Sequence, residues 1–307
     1  MLFPTSEPSP APGTAPASLA ARLGSVIQVL RLHQWAKNLL VFAPVVAAHR
    51  FKDADSIARA TLAFLAFGAA ASAGYVVNDL RDVGADRAHP RKRARPIAAG
   101  TLPAPVAVGL VPLLFAAAAA LSSRLPSGFR VILAGYVAAT LAYSFGLKRR
   151  PMLDVLLLAG LYTARLFAGG EATGTPVSEW LASFSMFAFL SLALLKRTAE
   201  LARSTEAPVG RGYQVEERTL LTAMGVAAAF VSVLVLALYL SSEAVVRLYS
   251  HPRWLWLLCP IFLYWLARLW LLAVRGEMDD DPVLFALRDV ESLVVAAAAS
   301  GVLYKGL

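Results

Sequence analysis

The chain carries a succession of apolar stretches, each about twenty residues long and separated by short polar breaks. A helix of about 20 residues is long enough to cross a hydrocarbon core of about 30 Å. Candidate spans lie near 24–48, 56–78, 103–123, 129–147, 152–170, 180–198, 219–240, 254–274 and 283–303. Because backbone groups in lipid need hydrogen bonds within the protein, these stretches predict an all-α, polytopic membrane bundle of about nine transmembrane helices.

Composition favours lipid over water as the solvent of this chain. Hydrophobic residues make up 58% and charged residues only 16% of it, an apolar bias beyond that of ordinary soluble domains. The stretches run along almost the whole length, which predicts a single membrane-embedded domain over 21–307. Residues 1–20 are rich in Pro, Ala and Ser and lack the pattern of a signal peptide, so we expect a disordered cytoplasmic tail.

The basic residues indicate topology. The formal net charge is +9, but Lys and Arg lie in the breaks between apolar stretches, so we expect no nucleic-acid partner. They concentrate in alternate breaks, on the side of the N-terminus. This asymmetry predicts a multi-pass protein of the inner (plasma) membrane, with a cytoplasmic N-terminus and an external C-terminus.

The strongest functional signal follows the second stretch, where Asn78, Asp79, Asp82 and Asp86 precede a basic segment. If the helix continues, Asn78, Asp82 and Asp86 stand at positions i, i+4 and i+8 and share one face. Asp79 directly follows Asn78 and lies beside that face. Magnesium favours such oxygen ligands and commonly bridges to substrate phosphates. The four residues are therefore predicted metal ligands and the three aspartates catalytic. The alternative is a solvated loop of mixed charge.

These residues also carry a family resemblance. The pattern Asn-Asp-x-x-Asp-x-x-x-Asp, followed by a basic segment containing Arg-Pro, resembles the first Asp-rich motif of the UbiA superfamily of intramembrane prenyltransferases. The aromatic prenyltransferases of that superfamily have a second Asp-rich motif after the sixth helix. Here the corresponding segment, 196–201, reads Lys-Arg-Thr-Ala-Glu-Leu and has no Asp. With 31–38, 143–148, Asp154 and Arg165, this resembles the decaprenyl-phosphate phosphoribosyltransferase branch; Leu32-His33, where that branch has a Pro after the Arg, is a departure.

The resemblance implies an activity, a cofactor and partners. A protein of this branch moves 5-phosphoribosyl from phosphoribosyl pyrophosphate onto a polyprenyl phosphate, releases pyrophosphate and supplies precursors for cell-envelope glycans, with Mg²⁺ as cofactor. The residues we predict to bind the substrates are Gln34, Lys37, Asn38, Lys92, Arg95, Tyr143, Lys148, Arg165, Lys196, Arg197 and Glu200. The oligomeric state is left open.

Several of these residues have simpler interpretations. Lys196 and Glu200 are spaced to pair on a helix end, and Gln34, Lys37 and Asn38 could form an interfacial belt. Arg165 lies inside a span, where charge is costly, so it is a functional candidate with Asp154 or Glu171 as possible partners. The simplest expectation for the run 279–281 is no role, and the alternative is a second metal cluster. The rival functions are an aromatic prenyltransferase and a membrane transporter without chemistry.

Overall fold

The computed structural model of the protein describes residues 19–90, 92–203, 212–278 and 281–307. Its α-helices, numbered α1 to α13 in chain order, are Leu19–Leu30, Ala43–Ala47, Ala54–Arg81, Val83–Ala88, Ala104–Ser122, Ser127–Phe145, Leu153–Thr173, Glu179–Ala202, Arg218–Leu240, Glu243–Leu248, Leu258–Val274, Pro282–Ala286 and Val290–Gly306. Short 3₁₀ helices occupy Leu32–Phe42, Lys92–Ala94, Leu147–Arg149, Val215–Glu217 and Pro252–Leu257. No β-strand occurs within these residues, which confirms the predicted all-α fold.

Seven of the described helices are long and apolar enough to cross a membrane: α3, α5, α6, α7, α8, and α9 and α11 with their preceding 3₁₀ turns. They match seven of the predicted spans, and the chain is a multi-pass membrane protein. The count of nine is not confirmed. The predicted span 283–303 is divided between α12 and α13, because the Asp289 side chain accepts from the Ser292 amide and starts a new helix there. Of the predicted tail, 1–18 lies outside the described residues, while Leu19 and Ala20 begin α1.

The predicted first span, 24–48, is also broken. Arg31 adopts a left-handed conformation, with φ at 52°, and ends α1. The chain then continues as an unusually long 3₁₀ helix, which we call the entry segment, Leu32–Phe42. The Trp35 indole donates to the Ser72 hydroxyl (3.0 Å), and that hydroxyl donates to the Leu30 carbonyl (2.7 Å). The polar first stretch therefore packs against protein, as its composition predicts.

Two helices hold the bundle together. α3 is buried along its run of small residues, including Ala69 to Gly74, and packs against α5, α6 and α7. α7 contributes Ala168 and Ala172 to one apolar core with α3 and α6. Its other end contributes Val155 to a second core with α8, α9 and α11. The entry segment lies against both α3 and α7, and its Val41 side chain belongs to the first core.

Close contact between α7 and the entry segment depends on Gly169. A Cβ added at Gly169 would lie 2.0 Å from the backbone oxygen of Val41. We expect Gly169→Ala to lower the free energy of unfolding by about 1–3 kcal/mol, because backbone cannot yield as a flexible side chain can.

Gly160, on the same helix, provides the matched control. Nothing lies within 4 Å of a Cβ added there, and Ala is the better helix former. Thermal unfolding in detergent would compare the two variants. Equal melting temperatures for Gly169→Ala and Gly160→Ala would contradict the close packing.

Candidate active site

The Asp-rich motif stands at the end of α3, and its carboxylates are paired with cations from three other parts of the chain. Asp79 is buried, and Nη2 of Arg31 contacts both of its carboxylate oxygens at 2.6 and 2.8 Å. Nη1 of Arg95 lies 3.1 Å from Asp79 Oδ1 and 2.7 Å from Asp86 Oδ2. One guanidinium nitrogen thus bridges two carboxylates. The buried side chains of Ile97 and Leu102 pack the loop after Arg95 against α3.

The other two motif residues, Asn78 and Asp82, both contact Lys148. Nζ of Lys148, in the turn between α6 and α7, lies 2.5 Å from Asp82 Oδ2 and 3.3 Å from Asn78 Oδ1. The expected continuous helix is not found, because α3 ends at Arg81 and α4 begins after Asp82. Asn78 and Asp82 share Lys148, whereas Asp86 shares Arg95 with Asp79, seven residues before it.

These pairs bear on the predicted magnesium ion. Within the described part of the chain, no three His, Cys, Asp or Glu side chains are grouped so that they could hold a metal. Magnesium, however, is commonly held by one or two carboxylates together with substrate phosphates. Asp79 and Asp86 converge on one cationic nitrogen, and both present only oxygen donors. The donor set therefore fits a magnesium ion shared with a substrate, and the metal-ligand roles remain a prediction.

A second group of charges lies where the entry segment meets α8 and α12. Lys37 forms an ion pair with Asp281, the residue that caps α12. Burial raises the pKa of the Asp281 carboxyl, but the Lys37 and Lys196 ammonium groups outweigh burial and hold that pKa below its usual range. Lys196 itself is half-buried and pairs with no carboxylate of the described residues. The expectation that the 279–281 run has no role is wrong for Asp281; its two neighbours lie outside the described residues.

Arg165 occupies the interior of α7. Its Nε donates to Asn38 Oδ1 (2.8 Å), Nη2 to the Tyr136 hydroxyl (2.9 Å) and Nη1 to the Leu161 carbonyl (2.5 Å). The guanidinium carbon lies 5.6 Å from the centre of the Tyr162 ring, and Lys37 Nζ lies 5.9 Å from the same ring. The expected partners were Asp154 or Glu171, and the structure instead surrounds Arg165 with neutral acceptors.

Asp154 is the ion-pair partner of Arg197. Nε of Arg197 donates to Asp154 (2.7 Å), Nη1 to Glu200 (2.5 Å) and Nη2 to the Tyr143 hydroxyl (2.9 Å). The Tyr213 hydroxyl donates to the other Asp154 oxygen (2.5 Å), and Arg197 and Asp154 are 1% and 0% exposed. Arg197 is therefore fully engaged within the protein, and Glu200 forms an ion pair with it while also acting electrostatically on Lys196. The substrate roles of Tyr143, Arg197 and Glu200 remain untested predictions.

The remaining predicted site residues lie at the edges. Gln34 is half-buried on the entry segment, and Lys92 is exposed in the turn before Arg95. Arg31 and Asp281 were not among the predicted site residues. Arg31 had a sequence signal, since a charge at the edge of an apolar stretch needs a partner. Asp281 had none beyond the Asp-Pro start of a helix, because its partner Lys37 is 244 residues away.

An apolar cavity of about 790 Å³ extends from the second group of charges along the entry segment and α2. Its other walls come from α8, α9, α11, α12 and α13, through side chains such as Phe189, Leu236 and Leu303. Lys37 and Tyr249 are among the residues that line it. The site thus joins a charged mouth to an apolar compartment along the entry segment and α2.

Comparison with known proteins agrees with this geometry. A family model described as the UbiA prenyltransferase family matches residues 39–290. Among relatives, an uncharacterized protein of Sinorhizobium fredii is 40% identical over 87% of this chain and 53% of its own length. The nodulation protein NoeC of Azorhizobium caulinodans is 34% identical over 87% of this chain and 88% of its own.

A decaprenyl-phosphate phosphoribosyltransferase of Mycolicibacterium smegmatis is 42% identical over 58% of each chain. This chain therefore spans little more than half the length of the Sinorhizobium and Mycolicibacterium relatives. Among solved structures, a UbiA homolog of Archaeoglobus fulgidus bound to DMAPP and Mg²⁺ superposes with a TM-score of 0.69 at 15% identity, covering 91% of this chain and 99% of its own. That likeness shows a shared fold.

Proposed function

Because the chain belongs to the UbiA prenyltransferase family, we propose that it is a transferase that moves 5-phosphoribosyl from phosphoribosyl pyrophosphate onto a polyprenyl phosphate. Pyrophosphate is released, and the lipid-linked pentose would serve cell-envelope glycan synthesis. The identity to mycobacterial decaprenyl-phosphate phosphoribosyltransferase over part of the chain supports this choice within the family.

The observation that most supports the proposal is the positive charge at the C-terminal end of α8. In the described part of the chain, three carboxylates lie near this end, and each is paired with a cation: Asp154 and Glu200 with Arg197, and Asp281 with Lys37. Lys196 adds a positive charge instead of a metal ligand. A prenyltransferase with two metals would need a second group of carboxylates here, whereas a phosphorylated acceptor favours cations.

The reaction requires little acid–base catalysis by the protein. An oxygen of the lipid phosphate forms a bond to the anomeric carbon while the bond from that carbon to the pyrophosphate oxygen breaks, and the electron pair leaves with pyrophosphate. The attacking phosphate is already ionised, so no residue has to remove a proton. Rate enhancement then comes from positioning the substrates and stabilising the leaving group.

Residues in and around the motif can position the substrates and stabilise the leaving group. Arg31, Arg95 and Lys148 lie beside the motif carboxylates and would contact diphosphate oxygens if those carboxylates held a metal. Mg²⁺ held by Asp79 and Asp86, with Asn78 and Asp82 nearby, would offset the charge that develops on the leaving pyrophosphate.

The decisive test offers purified protein two substrate pairs with and without Mg²⁺. One pair is phosphoribosyl pyrophosphate with decaprenyl phosphate, and the other is geranylgeranyl diphosphate with 4-hydroxybenzoate. We expect pyrophosphate and a phosphoribosylated lipid only from the first pair, and only with Mg²⁺. Mass spectrometry of the lipid fraction identifies the product. Prenylated hydroxybenzoate without any phosphoribosyl lipid would replace this proposal by aromatic prenyl transfer.

A further inference from the structure

The two groups of charges at the mouth differ in their balance. In the motif, the carboxylates of Asp79, Asp82 and Asp86 are matched by Arg31, Arg95 and Lys148. We define the second group as the cation cluster: Lys37, Arg165 and Lys196, with Asp281. Of its three cations only Lys37 has an ion pair with a described residue. Among the described residues the motif is balanced, whereas the members of the cluster carry two positive charges in excess. Glu200, which is paired with Arg197, also acts electrostatically on Lys196.

An excess of positive charge is costly inside a membrane protein. Arg165 is 5% exposed, and its contacts within the described residues are neutral acceptors and aromatic rings. Charges inside spans usually pair with each other or mark a ligand pathway, because desolvating them unpaired is unfavourable. A ligand with about two negative charges would restore the balance. A phosphomonoester carries about −1.5 to −2 charges near neutral pH.

The surroundings indicate what carries that phosphate. The apolar cavity reaches Lys37 and continues along α2 between walls of Leu, Phe and Val. A ligand whose phosphate contacts Lys37 would therefore find an apolar compartment directly behind it. A polyprenyl chain fits such a compartment, and a free sugar phosphate does not.

Resting on the proposed function, we propose that Lys37, Arg165 and Lys196 form a metal-independent subsite for the phosphomonoester of the acceptor lipid, separate from the metal-dependent Asp-rich subsite for the diphosphate donor. Asp281 holds Lys37 in place of the phosphate while the subsite is empty. The lipid phosphate and Asp281 therefore compete for the same ammonium group. Because of this competition, removing a cation of the cluster should weaken lipid binding, whereas removing the Asp281 carboxylate should strengthen it.

The test measures binding of farnesyl phosphate to the full chain in detergent with EDTA present. We expect wild-type affinity to be the same with EDTA and with Mg²⁺. Lys196→Gln should weaken binding about ten- to hundredfold, since it removes one charge-assisted contact. Asp281→Asn should tighten binding, because the competing carboxylate is lost while Asn still caps α12. Lys52→Gln, an exposed lysine outside the cluster, should change nothing.

Further probes identify the source of the phosphate. Farnesol should bind equally to wild type and Lys196→Gln, because it lacks the charge, and ribose 5-phosphate should compete poorly. Strong competition by ribose 5-phosphate would assign the cluster to the donor and overturn the proposal. So would a requirement for Mg²⁺, equal affinity of Lys196→Gln and wild type, or weaker binding by Asp281→Asn.

The experiments distinguish a failure of the lipid-phosphate subsite from a failure of the proposed function. If farnesyl phosphate binds as expected but phosphoribosyl pyrophosphate yields no product, the subsite stands and the reaction is wrong. If phosphoribosyl lipid forms while Lys196→Gln leaves the KM for the lipid unchanged, the reaction stands and the subsite is wrong.

Discussion

Asp82→Asn is expected to lower kcat by at least about a hundredfold while the protein stays folded and inserted in the membrane. The Asp82 side chain is 28% exposed, so replacing its carboxylate removes charge from the mouth without leaving a buried cavity. Its loss frees Lys148 and weakens any magnesium ion beside the motif. Turnover of phosphoribosyl pyrophosphate across a magnesium titration measures the effect.

Asp55→Asn is the matched control, because Asp55 is a carboxylate at the opposite end of the same helix, with a single exposed partner, Arg59. We expect near-normal turnover and thermal stability from this variant. Melting curves of both variants separate loss of chemistry from loss of fold. Near-normal turnover of Asp82→Asn at every magnesium concentration would contradict a role for the motif in the reaction.

The helices that sequence analysis predicted well share one property, a continuous apolar run bounded by polar residues. α3, predicted at 56–78 and found at Ala54–Arg81, is an example. The first and last predicted spans failed because hydropathy averages over local backbone breaks. The left-handed Arg31 and the capping Asp289 each interrupt a helix at a single residue, which an average over about 19 residues does not detect.

The candidate site was predictable where its residues are close in sequence and not where they are distant. Asn78 to Asp86 were singled out from their spacing, although the structure groups Asp86 with Asp79 instead of with Asn78 and Asp82. Lys37 and Asp281 are 244 residues apart, and Arg197 and Asp154 are 43 apart. A local pattern carries no information about such partners, so Arg197 looked like a free cation available for phosphate.

Arg197→Met is expected to destabilise the protein by about 3–5 kcal/mol, because it leaves the Asp154 carboxylate buried without its cation. The interpretation of Lys196 and Arg197 as equivalent phosphate contacts predicts instead a folded protein with weakened substrate binding. Thermal unfolding in detergent, together with farnesyl phosphate and phosphoribosyl pyrophosphate binding, distinguishes the two outcomes.

Lys196→Met provides the control, since it removes the adjacent cation, which makes no ion pair with a described residue. We expect its melting temperature to stay close to that of wild type. The double variant Arg197→Met with Asp154→Asn removes the stranded charge and should recover part of the lost stability, because an uncompensated buried charge is the main cost. After Asp154→Asn, the Tyr213 hydroxyl can still donate to the side-chain amide oxygen at this position. If Arg197→Met melts like wild type and binds substrate less tightly, Arg197 is a ligand contact and its buried network with Asp154 is dispensable for the fold.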